Sequence, residues 1–81
     1  MELKLITPHE TLYEGVATAV TLPSADGEIT ILPGHAALLS RLKQGRMKAR
    51  GTGQTLADVS IKKGFVEVQN DVVTVLVEVE N

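Results

Sequence analysis

The sequence contains no cysteine, and this absence excludes both a disulfide framework and a metal site built on thiolates. Aromatic residues make up only 2% of the 81 residues, so the core is expected to be aliphatic. No apolar run approaches the ~20 residues that a membrane-spanning helix needs. The formal net charge of −2 does not suit a dedicated nucleic-acid binder. With a length of 81 residues, the chain is expected to form one small domain over residues 1–81.

The hydrophobic residues that are present recur with a period of two, which predicts strands rather than helices. Leu3 and Leu5 share one face, for example, and so do the valines from Val73 to Val79. Turn signals break the chain at short intervals, and this pattern predicts an all-β sandwich or barrel. Lys63-Gly64 and Asn70-Asp71 are predicted hairpin turns of a meander over residues 55–79. Residues 36–43 fit either a helical turn or a buried strand.

Candidate chemistry is sparse. Three serines and the histidines His9 and His35 offer a formal triad inventory, but no Gly-x-Ser-x-Gly elbow is present. The two histidines lack the ligand spacing of a zinc site. Gly51-Thr52-Gly53 lacks the Gly-Lys-Ser/Thr ending of a phosphate loop. We therefore predict no catalytic residue, no metal ligand and no cofactor.

A basic stripe is predicted on one strand, where Arg46, Lys48 and Arg50 alternate with Met47 and Ala49. Nucleic-acid binding is one interpretation, although the interleaved aromatics on which bases stack are missing. A solvated strand face is the default interpretation. A docking face for an acidic partner is the third, and the sequence leaves the choice open.

The most informative segment runs from Gly27 to Ala36 and reads Gly-Glu, a short apolar strand and then Pro-Gly-His-Ala. Gly64 to Gln69, followed by Val73 to Leu76, makes a second such segment, and Leu12 to Gly15 makes a weaker third. With these three segments in order, the chain resembles the N-terminal β-sandwich domain of the F-type ATP synthase epsilon subunit. The resemblance covers nearly the whole chain, from about residue 3 to residue 76.

The resemblance implies a ten-stranded antiparallel sandwich of two five-stranded sheets. It also implies a non-catalytic part of the central stalk that couples proton or sodium translocation to ATP synthesis. Such a subunit is peripheral, on the cytoplasmic face of the bacterial inner membrane, without membrane insertion, cofactor or nucleic acid. Residues that match the surface facing the gamma subunit are Thr7, His35, Ala36, Leu38 and Ser40. Residues that match the tip meeting the polar loops of the c-ring are Asp26, Gly27 and Glu28.

The chain departs from the family pattern in two places. Ala37 stands where the family often has proline, which leaves the motif recognisable. Most members also continue into a C-terminal helical hairpin, whereas this sequence stops at Asn81. The sequence is either a naturally short form or a domain cut from a longer subunit, and the short form is the favoured expectation. Such a form would couple the stalk without inhibition by the hairpin. The alternatives are a free-standing β-sandwich interaction module and, less favoured, a small hydrolase that uses His35.

Overall fold

In a computed structural model, which describes residues 1–80, the chain forms only strands, turns and short connections, with no helix in that range. This result confirms the all-β prediction. It also means that residues 1–80 include no helix long and apolar enough to cross a membrane. The strands are β1 (Glu2–Ile6), β2 (Thr11–Val16), β3 (Ala19–Ser24), β4 (Gly27–Ile31), β5 (Leu38–Leu42), β6 (Gly45–Gly51), β7 (Gln54–Gln69) and β8 (Val72–Val79).

The strands form two layers that share the 16-residue strand β7. The first half of β7 pairs with β6, which continues through β3 to β4; we call this layer the four-stranded sheet. The second half of β7 lies between β5 and β8, and β8 continues through β1 to β2; this layer is the five-stranded sheet. A register shift between Ile61 and Lys63 marks where β7 passes from one layer to the other.

The predicted count of ten strands in two five-stranded sheets is wrong, because the residues described form eight strands. Lys63-Gly64 is not a hairpin turn but lies inside β7, where Gly64 pairs with both Leu42 and Val77. A Cβ at Gly64 would lie 2.3 Å from the backbone oxygen of Leu76, so this glycine serves close strand approach rather than chain reversal.

The sandwich is also not wholly antiparallel, because β1 and β8 run parallel. A parallel pair needs a long connection between its strands. Here that connection is the rest of the domain, which separates Ile6 from Val72 along the chain.

Two local predictions were resolved by the strand register. Asn70 and Asp71 do form a two-residue turn between β7 and β8, and both adopt left-handed φ values, 53° and 61°. Such values are typical of a type I′ hairpin, whose twist matches that of the flanking strands. The ambiguous segment at residues 36–43 contains the strand β5, not a helical turn.

The core is a single aliphatic cluster between the two sheets, as the composition predicts. Both aromatic side chains lie outside it: Phe65 is 52% exposed, and Tyr13 packs against its border. The largest members, each less than 2% exposed, are Leu3, Leu5, Leu22, Ile31, Leu42, Met47 and Ile61. Because alternate residues point inward, the intervening side chains form two outer faces, and these faces carry the candidate functional residues.

Candidate functional site

On the outer face of the five-stranded sheet, the neighbouring strands β5, β7 and β8 carry three large exposed hydrophobic side chains. Leu39 is 74% exposed, Phe65 is 52% exposed and Leu76 is 46% exposed. Phe65 pairs directly with Leu76 on one side and with Arg41 on the other, and Leu39 lies two residues before Arg41. These side chains therefore share one side of adjacent strands. We call Leu39, Phe65 and Leu76 the apolar face.

A groove of about 390 Å³ lies beside Phe65 and Leu76 of the apolar face. It runs across the strands and is bordered by an exposed ion pair, in which Lys63 Nζ lies 3.4 Å from Glu78 Oε2. Its apolar walls and charged border can accommodate a protein side chain. The groove is lined by Pro8, Arg41, Leu42, Lys63, Gly64, Phe65, Leu76, Val77 and Glu78.

His35 and Ala36 lie in an exposed connection between β4 and β5, just after a tight turn. The backbone N–H of His35 donates to the carbonyl of Leu32 at 3.1 Å, and Gly34 has a φ of 83°. Proline followed by a left-handed glycine is the signature of a type II turn. His35 Nδ1 lies 2.7 Å from the carbonyl oxygen of Ala36, which orients the ring. The sequence-predicted residues His35 and Ala36 are thus presented to solvent on a defined turn.

Asp71, which is distant in sequence, anchors this turn through a hydrogen bond. The backbone N–H of Gly34 donates to Asp71 Oδ1 at 2.9 Å. Because Asp71 belongs to the β7–β8 turn, the connection that carries His35 is attached to the five-stranded sheet. Sequence reasoning missed this contact, since 37 residues separate the partners.

The other three residues predicted to face the gamma subunit are less accessible. Thr7 is 8% exposed, and its hydroxyl donates to the carbonyl of Glu10 while accepting from the N–H groups of His9 and Glu10. Leu38 and Ser40 are half-buried on the inward side of β5. Thr7 follows β1, which lies three strands, roughly 14 Å, from β5. The apolar face lies between Thr7 on one side and Leu38 and Ser40 on the other. Sequence reasoning did not bring its three side chains together.

The signal for the apolar face was present in the alternation of β7. Val66 and Val68 are buried, so Phe65 between β5 and β8 had to point outward. Sequence reasoning does place Leu39 in an apolar patch at residues 36–39 that the gamma subunit would cover. It does not group Leu39 with Phe65 and Leu76, because residues 36–43 were not assigned to a strand and the direction of each leucine follows only from that assignment.

Asp26, Gly27 and Glu28, the residues predicted to meet the c-ring, form the tip of the β3–β4 hairpin. Ser24 is 3% exposed, and its hydroxyl donates to the carbonyl of Gly27 and accepts the N–H of Asp26 at 3.3 Å. Asp26 and Glu28 are exposed. The backbone N–H of Ala25 donates a hydrogen bond to the backbone carbonyl of Arg41 in β5 at 2.9 Å. The structure therefore holds a small acidic surface on a braced turn. We call it the acidic tip.

The acidic tip and the turn at His35 lie at opposite ends of β4. The two predicted interfaces are consequently separate surfaces, which one partner chain or two can occupy.

Hydrolytic and metal chemistry find no support in the side-chain geometry. Over residues 1–80, no serine hydroxyl is hydrogen-bonded to a histidine: Ser24 bonds Gly27, Ser40 bonds Arg41 and Ser60 accepts from Arg46. The same part of the chain contains no group of three or more His, Asp or Glu residues placed to hold a metal ion. The candidate site therefore consists of the apolar face, the turn at His35 and the acidic tip.

The comparisons with known proteins agree with the sandwich. The family model for the β-sandwich domain of the ATP synthase delta/epsilon chain matches residues 1–80. A relative from Synechococcus elongatus, named ATP synthase epsilon chain, is 43% identical over 77 residues. That match covers 95% of this chain and 56% of the relative. The epsilon chain of Prochlorococcus marinus is 40% identical, with 95% and 57% covered. This chain thus spans a little over half the length of these relatives.

Solved structures show the same fold. A chain of the Tetrahymena thermophila mitochondrial ATP synthase central stalk and c-ring superposes with a TM-score of 0.84 at 24% identity. It covers 96% of this chain and 63% of that one. A chain of the Euglena gracilis mitochondrial ATP synthase, in a structure of OSCP, F1 and c-ring, superposes with a TM-score of 0.87 at 24% identity, with 96% and 51% covered.

Proposed function

The chain belongs to the family of ATP synthase delta/epsilon chains, and we propose that it acts as a non-catalytic rotor component of an F-type ATP synthase. In this role it links the gamma subunit to the c-ring and so couples ion translocation, of protons or sodium, to ATP synthesis. We further propose a peripheral position on the cytoplasmic face of a bacterial inner membrane.

The observation that carries the proposal is the apolar face. Three large side chains that are roughly half to three-quarters exposed would be costly to leave in water in so small a domain. Contact with the gamma subunit would cover Leu39, Phe65 and Leu76, and the groove between the strands would receive one of its side chains. An apolar centre with a charged border is the usual anatomy of a protein interface.

The turn at His35 adds a polar border to the same interface. His35 and Ala36 precede β5, whose residue Leu39 belongs to the apolar face, and the bond to Asp71 holds the turn before any partner arrives. A preformed surface loses less conformational entropy on binding. We propose that His35 and Ala36 contact the gamma subunit directly. Leu38 and Ser40, which are half-buried, would shape the backbone beneath that contact. Thr7, which is buried next to Pro8 of the groove, would support another border of the interface.

The acidic tip suits a basic partner, and we propose the polar loops of the c-ring. Asp26 and Glu28 are exposed on a turn held by Ser24, so their charges keep a defined position. Complementary charge at an exposed tip contributes orientation and association rate more than affinity. Together the acidic tip and the apolar face would let a small rigid domain join two rotor parts.

A binding experiment tests the central step. The double variant Leu39→Ser/Phe65→Ser should bind the purified complex of the gamma subunit with the catalytic subunits about a hundredfold more weakly than the unaltered chain, as measured by titration. Each residue loses roughly 1.5 kcal/mol of apolar burial, and 1.4 kcal/mol is a factor of ten. Val16→Ser is the matched control, because Val16 is 69% exposed on the distant edge strand β2. Equal losses in both variants would contradict the assignment.

Affinity capture from the native cell extract separates this proposal from a free-standing interaction module. Recovery of the gamma subunit with the catalytic subunits is expected for the tagged chain. Recovery of unrelated proteins, with no gamma subunit even at low salt, would favour the interaction module instead. The hydrolase alternative has no observation in its favour, since the His35 ring faces a backbone carbonyl and no serine.

A further inference from the structure

The outer face of the four-stranded sheet carries basic side chains that take no part in the proposed contacts with the gamma subunit and the c-ring. Arg46, Lys48 and Arg50 are exposed on β6 and alternate with buried Met47 and Ala49, which confirms the basic stripe predicted from the sequence. Successive members are two residues apart on one strand, so their Cα atoms lie ~7 Å apart. The basic stripe is therefore a row of positive charge along β6, with a register shift in the pairing to β7 between Ala49 and Arg50.

The strands beside the basic stripe present shorter side chains. Lys48 lies between Thr21 of β3 and Asp58 of β7, and Arg50 lies between Ala19 and Thr55. The long cationic side chains can thus reach beyond their neighbours into solvent. The shorter side chains on either side leave room along β6 for another polypeptide to lie against the cationic side chains.

The charges of the basic stripe are unevenly neutralised. Arg46 Nε donates to Asp58 Oδ1 at 2.5 Å, and a second nitrogen of Arg46 lies 3.4 Å from the hydroxyl of Ser60. Across residues 1–80, neither Lys48 nor Arg50 has a carboxylate oxygen within ion-pair distance. Among the described residues, Arg46 therefore has an ion-pair partner, whereas Lys48 and Arg50 have none.

We propose that the basic stripe binds an extended acidic segment of a partner protein. Alternate side chains of an extended peptide also repeat every ~7 Å, so a segment with acidic residues at every second position matches the stripe in spacing and in charge. Lys48 and Arg50 supply most of the attraction, and Asp58 competes with the peptide for Arg46.

Two other anionic partners fit the surface less well. Single-stranded nucleic acid needs aromatic side chains for base stacking, and Phe65 lies on the outer face of the other sheet. A membrane surface favours apolar side chains beside the cations, whereas Lys48 has Thr21 and Asp58 as its neighbours. The basic stripe and the apolar face lie on opposite outer faces of the sandwich, so one can be altered without the other.

The test uses a fluorescent peptide in which glutamate and threonine alternate over seven residues, titrated with the full chain at about 50 mM salt while anisotropy is recorded. Lys48→Gln/Arg50→Gln should weaken binding by about tenfold. Asp58→Asn should strengthen binding by about threefold, because Arg46 becomes available. Raising the salt concentration should weaken binding of the unaltered chain.

Lys4→Gln/Lys43→Gln is the matched control, since it removes the same charge from exposed positions on β1 and in the β5–β6 connection, and it should bind as the unaltered chain does. An equal loss in this control would overturn the proposal by showing non-specific attraction. No binding of the peptide, or weaker binding after Asp58→Asn, would also overturn it. Binding to vesicles containing phosphatidylglycerol without binding to the peptide would assign the basic stripe to lipid instead.

Discussion

Asp71 accepts a hydrogen bond from the backbone N–H of Gly34 at 2.9 Å, which ties the β7–β8 turn to the turn that presents His35. Asp71 itself has a φ of 61°, a left-handed conformation that aspartate and asparagine tolerate better than most residues. Asp71 thus contributes to two turns, to the β7–β8 turn through its backbone conformation and to the turn at Gly34 through its side chain.

Asp71→Ala should lower the free energy of unfolding by about 2 kcal/mol, from the lost hydrogen bond and the left-handed alanine. Asp71→Asn is the control, because it keeps both the acceptor and the tolerance for positive φ. Urea denaturation measures stability, and hydrogen exchange at the Gly34 amide reports on the turn. Unchanged exchange in Asp71→Ala would contradict the proposed anchoring.

Gly64→Ala should be severely destabilising, by about 3 kcal/mol or more, because its Cβ would meet the Leu76 backbone oxygen at 2.3 Å. Gly51→Ala is the comparison, since its Cβ would approach only the end of the Leu56 side chain, at 3.2 Å. Thermal unfolding of both variants measures the difference. Equal stabilities would mean that β7 and β8 separate at Gly64 at little cost.

Ser24→Ala should destabilise the domain by about 1 kcal/mol, because the carbonyl of Gly27 and the N–H of Asp26 lose their buried partner. The affinity for the c-ring should fall with it as the acidic tip loosens. Ser24→Thr, which retains the hydroxyl, is the variant to set beside it. Calorimetry for stability and a pull-down with detergent-solubilised c-ring complete the measurement.

Glu28→Arg should leave the fold intact, since Glu28 is exposed, and should weaken binding to the c-ring by about tenfold. The defect should shrink as salt rises, because exposed charges are screened. Glu14→Arg, an exposed site on β2, makes the same charge change elsewhere. A defect of equal size in Glu14→Arg would remove the acidic tip from the interface.

His35→Ala should change stability by less than about 0.5 kcal/mol, because the exposed ring bonds only the neighbouring carbonyl of Ala36. Its affinity for the gamma subunit should nevertheless fall by several-fold, measured by the same titration as the apolar-face variants. Wild-type affinity in His35→Ala would exclude His35 from that interface and leave Leu39 and Phe65 to account for it.

Features that depend on residues close together in the chain could be predicted from the pattern of side chains. Alternation assigned Met47 and Ala49 to the core and Arg46, Lys48 and Arg50 to an outer face, because a strand repeats every two residues. The same reasoning placed a tight turn at Asn70-Asp71, where both residues accept positive φ. The resemblance to a family, carried by the segment from Gly27 to Ala36, supplied the sandwich and the candidate interfaces.

Features that depend on which strands pair could not be predicted in this way and became visible in the fold. Lys63-Gly64 has the local composition of a turn, yet β7 continues through it because Gly64 permits close packing against Leu76. The apolar face exists because β5 and β8 both flank β7, which brings Leu39 and Leu76 beside Phe65. The contact between Asp71 and Gly34 likewise joins residues far apart in sequence. Strand register sets such meetings, and no local pattern of side chains encodes it.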